Sequence, residues 1–290
     1  MKRKYKDHNF TRSSVELIQT INEVLEEYVN DGYTLTLRQL FYQLVSRDII
    51  PNDQKKYSKL SRDLTNARMA GLVDWKSIED RLRTPKIPYW VDGPRDALDD
   101  TITQYRLDRQ KDQANYIEVW VEKDALSQVL ERVTKEYHIR LMVNRGYSSC
   151  SAMRVSAMRF LAKERLKRDC HILYFGDHDP SGLDMIRDIG ERLREFGCRS
   201  LTVHHEALTM DQIVEYEPYP NPAKESDARA RKYIEEHGDS SWELDALEPR
   251  VLNQILQDSI ERLIDRDKFD KIVEKEERER QSIIDFSESF

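Results

Sequence analysis

Short apolar runs alternate with helical segments between residues 117 and 203, and this alternation limits the fold more than any other feature. The runs, rich in β-branched and aromatic residues, lie at 117–121, 139–143, 171–175 and 200–203, and the helical segments lie at 124–137, 150–167 and 182–196. Each connection is long enough for a helical crossover, so successive strands are expected to run parallel. The pattern predicts an α/β fold, with helices on both faces of a parallel sheet.

The residues before this region predict a helical domain. Apolar residues recur at helical spacing over 13–30, over 37–45 behind the N-capping Thr36, and over about 54–70. Residues 72–75 then fit a short strand or wing. Three helices followed by a strand are typical of a winged helix-turn-helix domain, although many small helical bundles have the same order.

Residues that break regular structure separate the two regions: Pro85, Pro88, Gly93 and Pro94. We therefore place a linker at 85–95. The predicted domains are a winged-helix DNA-binding domain at 1–84, an α/β domain at 96–256 and a charged helical tail at 257–290. The tail contains 11 acidic and 7 basic residues, so we expect it to be exposed.

The formal net charge of −7 is unevenly distributed. Residues 1–90 contain 16 Lys and Arg against 12 Asp and Glu, whereas the remaining residues contain 31 against 42. Five of the basic residues fall in the third predicted helix: Lys55, Lys56, Lys59, Arg62 and Arg68. This basic helix indicates contact with the phosphate backbone of double-stranded DNA, although such charges can also be ordinary solvated surface.

Hydropathy and cysteine content set the expected location. No apolar run approaches the ~20 residues needed to cross a membrane, and no apolar segment follows the basic N-terminal residues. Cys150, Cys170 and Cys198 lie far apart, which argues against a disulfide framework and a thiolate zinc site. We therefore expect a cytoplasmic protein with no membrane contact.

Carboxylates follow two of the predicted strands. Glu122 follows the first, and Asp177 and Asp179 follow the third through Gly176. The carboxyl ends of parallel strands are where ligands bind, and residues two apart in an extended segment project the same way. Three converging carboxylates need a cation, and oxygen ligands alone suit Mg²⁺, or Mn²⁺, which supports phosphoryl transfer. An isolated D-x-D pair can also be a helix cap or turn.

Motifs around these carboxylates resemble the Toprim domain of the topoisomerase VI A subunit and its relative, the meiotic double-strand-break transesterase. Asp177-His178-Asp179-Pro180-Ser181-Gly182 resembles the family's D-x-D-P-x-G. Four further segments resemble family motifs in the same order along the chain: Val121–Leu126, Arg145–Tyr147, Glu225–Asp227 and Trp242–Leu247. The resemblance implies that Glu122, Asp177 and Asp179 hold Mg²⁺, with Lys123 and Gly146 as neighbours.

The front domain carries a further family motif. Leu37-Arg38-Gln39-Leu40-Phe41-Tyr42 resembles L-R-[DE]-hydrophobic-[YF]-Y, whose last tyrosine is the nucleophile in a winged-helix domain. The residue spacing agrees, because Tyr42 falls outside the apolar stripe and one turn after Arg38. An exposed tyrosine beside an arginine can attack a phosphate, although Tyr42 could instead cover the edge of the core.

The resemblance implies tyrosine transesterification. Tyr42 would attack a DNA phosphodiester and become linked to the 5′ end while a 3′ hydroxyl leaves. Two tyrosines are needed to cut both strands, so the family forms homodimers in which one protomer's tyrosine works with the other's metal site. An ATPase or other protein partner and a nucleoid-associated location also follow from the resemblance.

Two other functions fit the same residues. A Toprim nuclease would use metal-activated water and leave Tyr42 idle, and a non-catalytic DNA-binding protein would act with a partner. His178, between the two aspartates, could tune the charge of the site near pH 6–7 or face solvent opposite the carboxylates. Formation of a covalent protein–DNA adduct separates the first function from the others.

Overall fold

The computed structural model describes residues 2–78, 88–144, 146–223 and 229–288. Within these ranges the fold is α/β, with a helical front domain followed by a four-stranded parallel sheet, as the sequence predicts. The linker placed at 85–95 is described only from residue 88. Arg145 and the motif at 225–227 lie outside the described residues. No helix in the described ranges is both long enough and apolar enough to cross a bilayer.

Three helices form the core of the front domain: α1 (Arg12–Asn30), α2 (Leu37–Ser46) and α3 (Gln54–Met69). The hydroxyl of Thr36 accepts a hydrogen bond from the Gln39 backbone N–H, and the Gln39 side chain accepts one from the Thr36 N–H. This reciprocal cap fixes where α2 begins. The helices bury a shared apolar core that includes Ile21, Tyr28, Leu40, Leu44, Leu60 and Leu64.

Residues 72–75 do not form a strand. They lie in bends and a turn, and Val73 is fully buried. The Arg68 guanidinium lies 4.5 Å from the centre of the Trp75 ring and donates a hydrogen bond to the Trp75 carbonyl. The segment therefore closes the helical core instead of pairing along a sheet.

The parallel sheet contains β1 (Asn115–Val121), β2 (Arg140–Val143), β3 (Asp169–Phe175) and β4 (Leu201–Ala207), in the order β2-β1-β3-β4. Alternate residues of β1 face opposite sides, as the period of a strand requires. Val119 packs on one side against α5 (Ser127–Tyr137), and Trp120 packs on the other against α6 (Cys150–Glu164). The sheet is thus covered on both faces, with α7 (Pro180–Glu195) beside α6.

The remaining helices and strands complete the described chain. They are α4 (Pro94–Gln104), a 3₁₀ turn at Asp124–Leu126, α8 (Met210–Tyr216), β5 (Asn221–Pro222), α9 (Ala230–His237), β6 (Ser240–Ser241), a 3₁₀ turn at Leu244–Ala246, α10 (Pro249–Glu261) and α11 (Arg266–Glu288). The second 3₁₀ turn packs against α2 and so joins the front domain to the sheet region.

The charged tail expected at 257–290 is helical over Arg266–Glu288 and mostly exposed, but one face of the segment is buried. Position 257 falls inside α10, and Ile260 of that helix is buried beside the sheet. Phe269 and Ile272 of α11 are also buried, and Glu276 accepts a hydrogen bond from Arg109 at 2.8 Å. Apolar residues recur at helical spacing among the charged residues of this segment. The face that they form packs into the core.

Candidate functional site

Glu122 and Asp177 leave the two central strands side by side. Val121 is paired with Phe175 at the ends of β1 and β3, so the next residues of both strands emerge at the same edge. The backbone N–H of Asp177 donates to a carboxylate oxygen of Glu122 at 3.1 Å. Asp177 is buried and Glu122 is half-buried, so the fold holds two carboxylates together with limited access to water.

Asp179 caps a helix, which is the alternative that its spacing left open. Its Oδ1 accepts hydrogen bonds from the Gly182 N–H at 2.7 Å and from the Ser181 hydroxyl at 2.8 Å, and so caps α7. A Cβ on Gly182 would lie 2.1 Å from the carbonyl oxygen of Asp177, so only glycine fits there. The pattern D-x-D-P-x-G thus describes a strand end turning into a helix, with Asp179 still near enough to act electrostatically on Glu122.

Burial and crowding change the ionisation of Glu122. Burial, followed by the negative charge of Asp177, raises the pKa of the Glu122 carboxyl to about 7. The pKa of Asp177 is also raised, because burial outweighs the opposing effect of the Lys123 ammonium. Near pH 7 the Glu122 carboxyl is therefore protonated in part of the molecules and ionised in the rest.

Lys123 lies inside a group of three carboxylates. Its Nζ is 2.7 Å from Asp177 Oδ1, 2.9 Å from Glu243 Oε2 and 3.1 Å from Asp245 Oδ2. The backbone N–H of Leu244 donates to the same oxygen of Asp177 at 2.8 Å. Sequence reasoning did not identify Glu243 and Asp245 as site residues, although two acidic residues set among apolar neighbours in Trp242–Leu247 gave a signal.

Arg38 and Tyr42 of α2 reach this acidic group from the front domain. Arg38 forms an ion pair with Glu243, and its Nε lies 3.5 Å from Asp245 Oδ2. Tyr42 is only 6% exposed, so the expectation of an exposed tyrosine is wrong. Tyr42 instead belongs to the buried apolar core of the front domain, with its ring centre 5.5 Å from that of Phe41, which is the alternative that the sequence left open.

The hydroxyl of Tyr42 is less acidic than a free phenol. Burial, and then the negative charge of Glu243, raise the pKa of Tyr42, whereas Arg38 and Lys123 act in the opposite direction. The positive groups that would help Tyr42 to ionise are already occupied by carboxylates. Tyr42 is therefore protonated in this conformation, and its activation requires a change in these ion pairs.

Two small cavities meet at Arg38. One, of about 350 Å³, is lined by Arg38, Phe41, Tyr42, Asn52, Asp53, Gln54, Tyr57, Asn221 and Glu243. The other, of about 330 Å³, is lined by Arg38, Glu122, Lys123, Asp124, Ala125, Gly146 and Asp245. The tyrosine and the strand-end carboxylates of a single chain thus lie on either side of one arginine, whereas the resemblance implies that they come from different protomers.

Both expectations for His178 are wrong. The imidazole is buried, with Nδ1 2.8 Å from the Tyr233 hydroxyl. Burial, together with the neighbouring His237 and His205, lowers the pKa of His178 to about 4. The ring is therefore neutral near pH 7 and is shielded from solvent.

The predicted basic residues of α3 fall into two groups. Lys55, Lys56, Lys59 and Arg62 are exposed along the helix, where they can contact a phosphate backbone. Arg68 instead stacks on Trp75 and donates to backbone carbonyls, so its side chain stabilises the front domain.

The oxygen ligands at the strand ends suit a single magnesium ion. Within the described residues, no three His, Cys, Asp or Glu side chains are arranged to hold a metal. Mg²⁺ is commonly held by one or two carboxylates with water and substrate phosphate completing its shell. The adjacent Glu122 and Asp177 fit that requirement, because both supply hard oxygen ligands and a cation would relieve their repulsion.

Comparisons with known proteins identify no relative. No protein-family model, curated protein or solved structure matches the chain. The function is therefore argued from the geometry and chemistry of the site.

Proposed function

We propose that the chain cleaves double-stranded DNA by Mg²⁺-dependent tyrosine transesterification, with a winged-helix front domain and a Toprim-type sheet domain. The observation that best supports this is the meeting of Arg38 and Tyr42 with the strand-end carboxylates at adjoining cavities. A homodimer supplies the two tyrosines needed for both strands. A nucleoid-associated location and an ATPase or other protein partner are part of the same proposal.

The reaction joins Tyr42 to DNA without net hydrolysis. The Tyr42 oxygen forms a bond to phosphorus and gives its proton to a base, while the bond from phosphorus to the 3′ oxygen breaks. The leaving oxygen takes up a proton from solvent, which leaves a 5′-phosphotyrosyl link and a 3′ hydroxyl. Arg38 stabilises the charge that develops on the phosphate. Glu122 and Asp177 would hold Mg²⁺, which supplies positive charge to the reacting phosphate.

DNA that reaches this site would bring a phosphate to the Arg38 guanidinium, in competition with Glu243. The phosphate carries a negative charge of its own, so this exchange does not by itself make Tyr42 more acidic. The divalent cation that Glu122 and Asp177 would hold is the group that would supply the positive charge favouring the phenolate.

Hydrolysis by activated water is the second candidate. It is favoured by the carboxyl of Glu122, whose pKa near 7 suits a general base, and by the buried, protonated state of Tyr42. In this reaction the products carry free ends and no protein.

The test uses end-labelled duplex DNA with Mg²⁺ or Mn²⁺, quenched in denaturant. Wild type is compared with Tyr42→Phe and Asp177→Asn, and Tyr57→Phe serves as the matched control because Tyr57 lines the same cavity. Transesterification predicts protein–DNA adducts that fall at least ~100-fold in both test variants and persist in the control.

Other outcomes separate the remaining functions. Cleavage without adducts that survives Tyr42→Phe and is lost in Asp177→Asn contradicts transesterification and identifies a nuclease. DNA binding with no cleavage under any metal condition identifies a non-catalytic role.

A further inference from the structure

The surroundings of the Lys123 ammonium are those of a bound cation. Three carboxylate oxygens, from Asp177, Glu243 and Asp245, lie 2.7, 2.9 and 3.1 Å from Nζ. They come from the end of β3 and from the 3₁₀ turn that follows β6. We call this group of three carboxylates the acidic cage.

Asp245 shows that the acidic cage retains unused capacity for a cation. Its side chain is completely buried, and its Oδ1 has no hydrogen-bond partner within the described residues. The residue lines the cavity that also contains Glu122 and Lys123. A buried carboxylate oxygen without a donor is costly, and a divalent cation would satisfy it.

Charge balance explains why the ammonium stays in place. The three carboxylates that surround Nζ offset the cost of burying its charge. Without it, three carboxylates would face only the guanidinium of Arg38. Their mutual repulsion in a buried site would then demand another cation.

We propose that Lys123 is the built-in cation of the acidic cage, and that the cage becomes a divalent-cation site when this ammonium is removed. With the ammonium in place the described residues form no metal site, and the oxygens need to move inward by roughly 0.5–1 Å to reach metal–ligand distances. The cage does not depend on the proposed DNA cleavage. A corollary rests on the proposed function: the native centre holds one divalent ion, at Glu122 and Asp177, in place of a metal pair.

The test counts Mn²⁺ ions bound per chain by equilibrium dialysis, without DNA. Lys123→Met removes the charge but keeps most of the side-chain length, and Lys123→Arg keeps the charge. Lys135→Met is the matched control, because Lys135 is an exposed lysine paired with Glu131 on α5. The proposal predicts about one additional Mn²⁺ in Lys123→Met only, and its loss again in Lys123→Met/Asp245→Asn.

Folding provides a second readout. If Lys123→Met is unfolded without metal, the proposal predicts that Mn²⁺ restores its circular dichroism spectrum. A folded Lys123→Met variant that binds no more Mn²⁺ than wild type would overturn the proposal, as would an unfolded variant that Mn²⁺ does not rescue. Wild type without any bound Mn²⁺, beside a variant that binds one, would support the cage and contradict the proposed Mg²⁺ site.

Discussion

Two neighbouring residues at the end of β1 differ in how the surrounding charges affect their ionisation. Glu122 faces another carboxylate, so its pKa rises to about 7, whereas Lys123 faces three carboxylates and keeps its charge. The backbone places these side chains, but residues from distant parts of the sequence decide their ionisation. The net charge of the centre is therefore sensitive to pH close to neutrality.

Replacing Glu122 with Gln should stabilise the metal-free protein in alkaline solution. The pKa of Glu122 is about 7 in the folded chain against 4.5 for an unperturbed glutamate, so the folded state binds more protons between these values. The contribution of Glu122 to the free energy of unfolding therefore falls as pH rises from 4.5 to 7, and the Glu122→Gln variant has no such loss. We expect the variant to gain roughly 2–3 kcal/mol at pH 8 relative to pH 4.5.

Urea unfolding in the presence of chelator at several pH values measures this effect. Glu131→Gln on α5 serves as the control, since Glu131 is an exposed carboxylate paired with Lys135. A stability difference for Glu122→Gln that stays constant from pH 4.5 to 8 would show that the pKa of Glu122 is not raised.

Helix α11 shows how a highly charged element can belong to the core. Its buried residues Phe269, Ile272 and Glu276 follow one face, and Glu276 receives hydrogen bonds from Arg109 and from the Leu107 backbone. That face packs close to α4 and the strand-entry segment before β1. The helix thus ties the last described residues to the beginning of the sheet region.

Phe269→Ala should be strongly destabilising because the ring is 5% exposed and packs with Tyr137 in the sheet core. We expect a loss of about 3–5 kcal/mol in the free energy of unfolding. Phe286→Ala on the same helix is the control, since Phe286 is 60% exposed and should cost less than about 1 kcal/mol. Equal losses at the two positions, measured by denaturant unfolding, would contradict the packing described.

Sequence periodicity predicted most elements but not the surroundings of the site. The spacing of Leu37, Leu40 and Leu44 located α2, and short β-branched runs located the four parallel strands, because these signals are local. The effect of Glu243 on the pKa of Tyr42 was not predictable in that way, since Glu243 lies about two hundred residues further along the chain. The same applies to Lys123, whose partners meet it only in the folded protein.

On the scale of the whole molecule, the basic residues of α3 and the acidic cage lie in different places. The exposed basic side of α3 belongs to the front domain, whereas the acidic cage lies beneath the contact between α2 and the 3₁₀ turn Leu244–Ala246. DNA bound along α3 would bring its phosphates close to the cavity that contains Tyr42, since Gln54 and Tyr57 of α3 line that cavity. Affinity should accordingly depend on salt.

Neutralising two lysines of α3 should weaken DNA binding in a salt-dependent way. Lys55→Gln/Lys59→Gln removes two exposed charges, so the slope of log affinity against log salt should fall by about 2. Fluorescence anisotropy with labelled duplex measures the slope. Lys268→Gln/Lys271→Gln on α11 is the control with the same change in net charge, and an equal reduction there would contradict a specific role for α3.

The position of α11 also has a consequence for synthesis of the protein. The buried core of the front domain is built only from residues between 18 and 78, so it can form before the sheet region is made. The sheet region cannot complete its core until Phe269 and Glu276 have emerged, because they pack against residues made some 130–170 positions earlier. During that interval the nascent chain exposes apolar surface, so translation speed and chaperone capture bear chiefly on the sheet region.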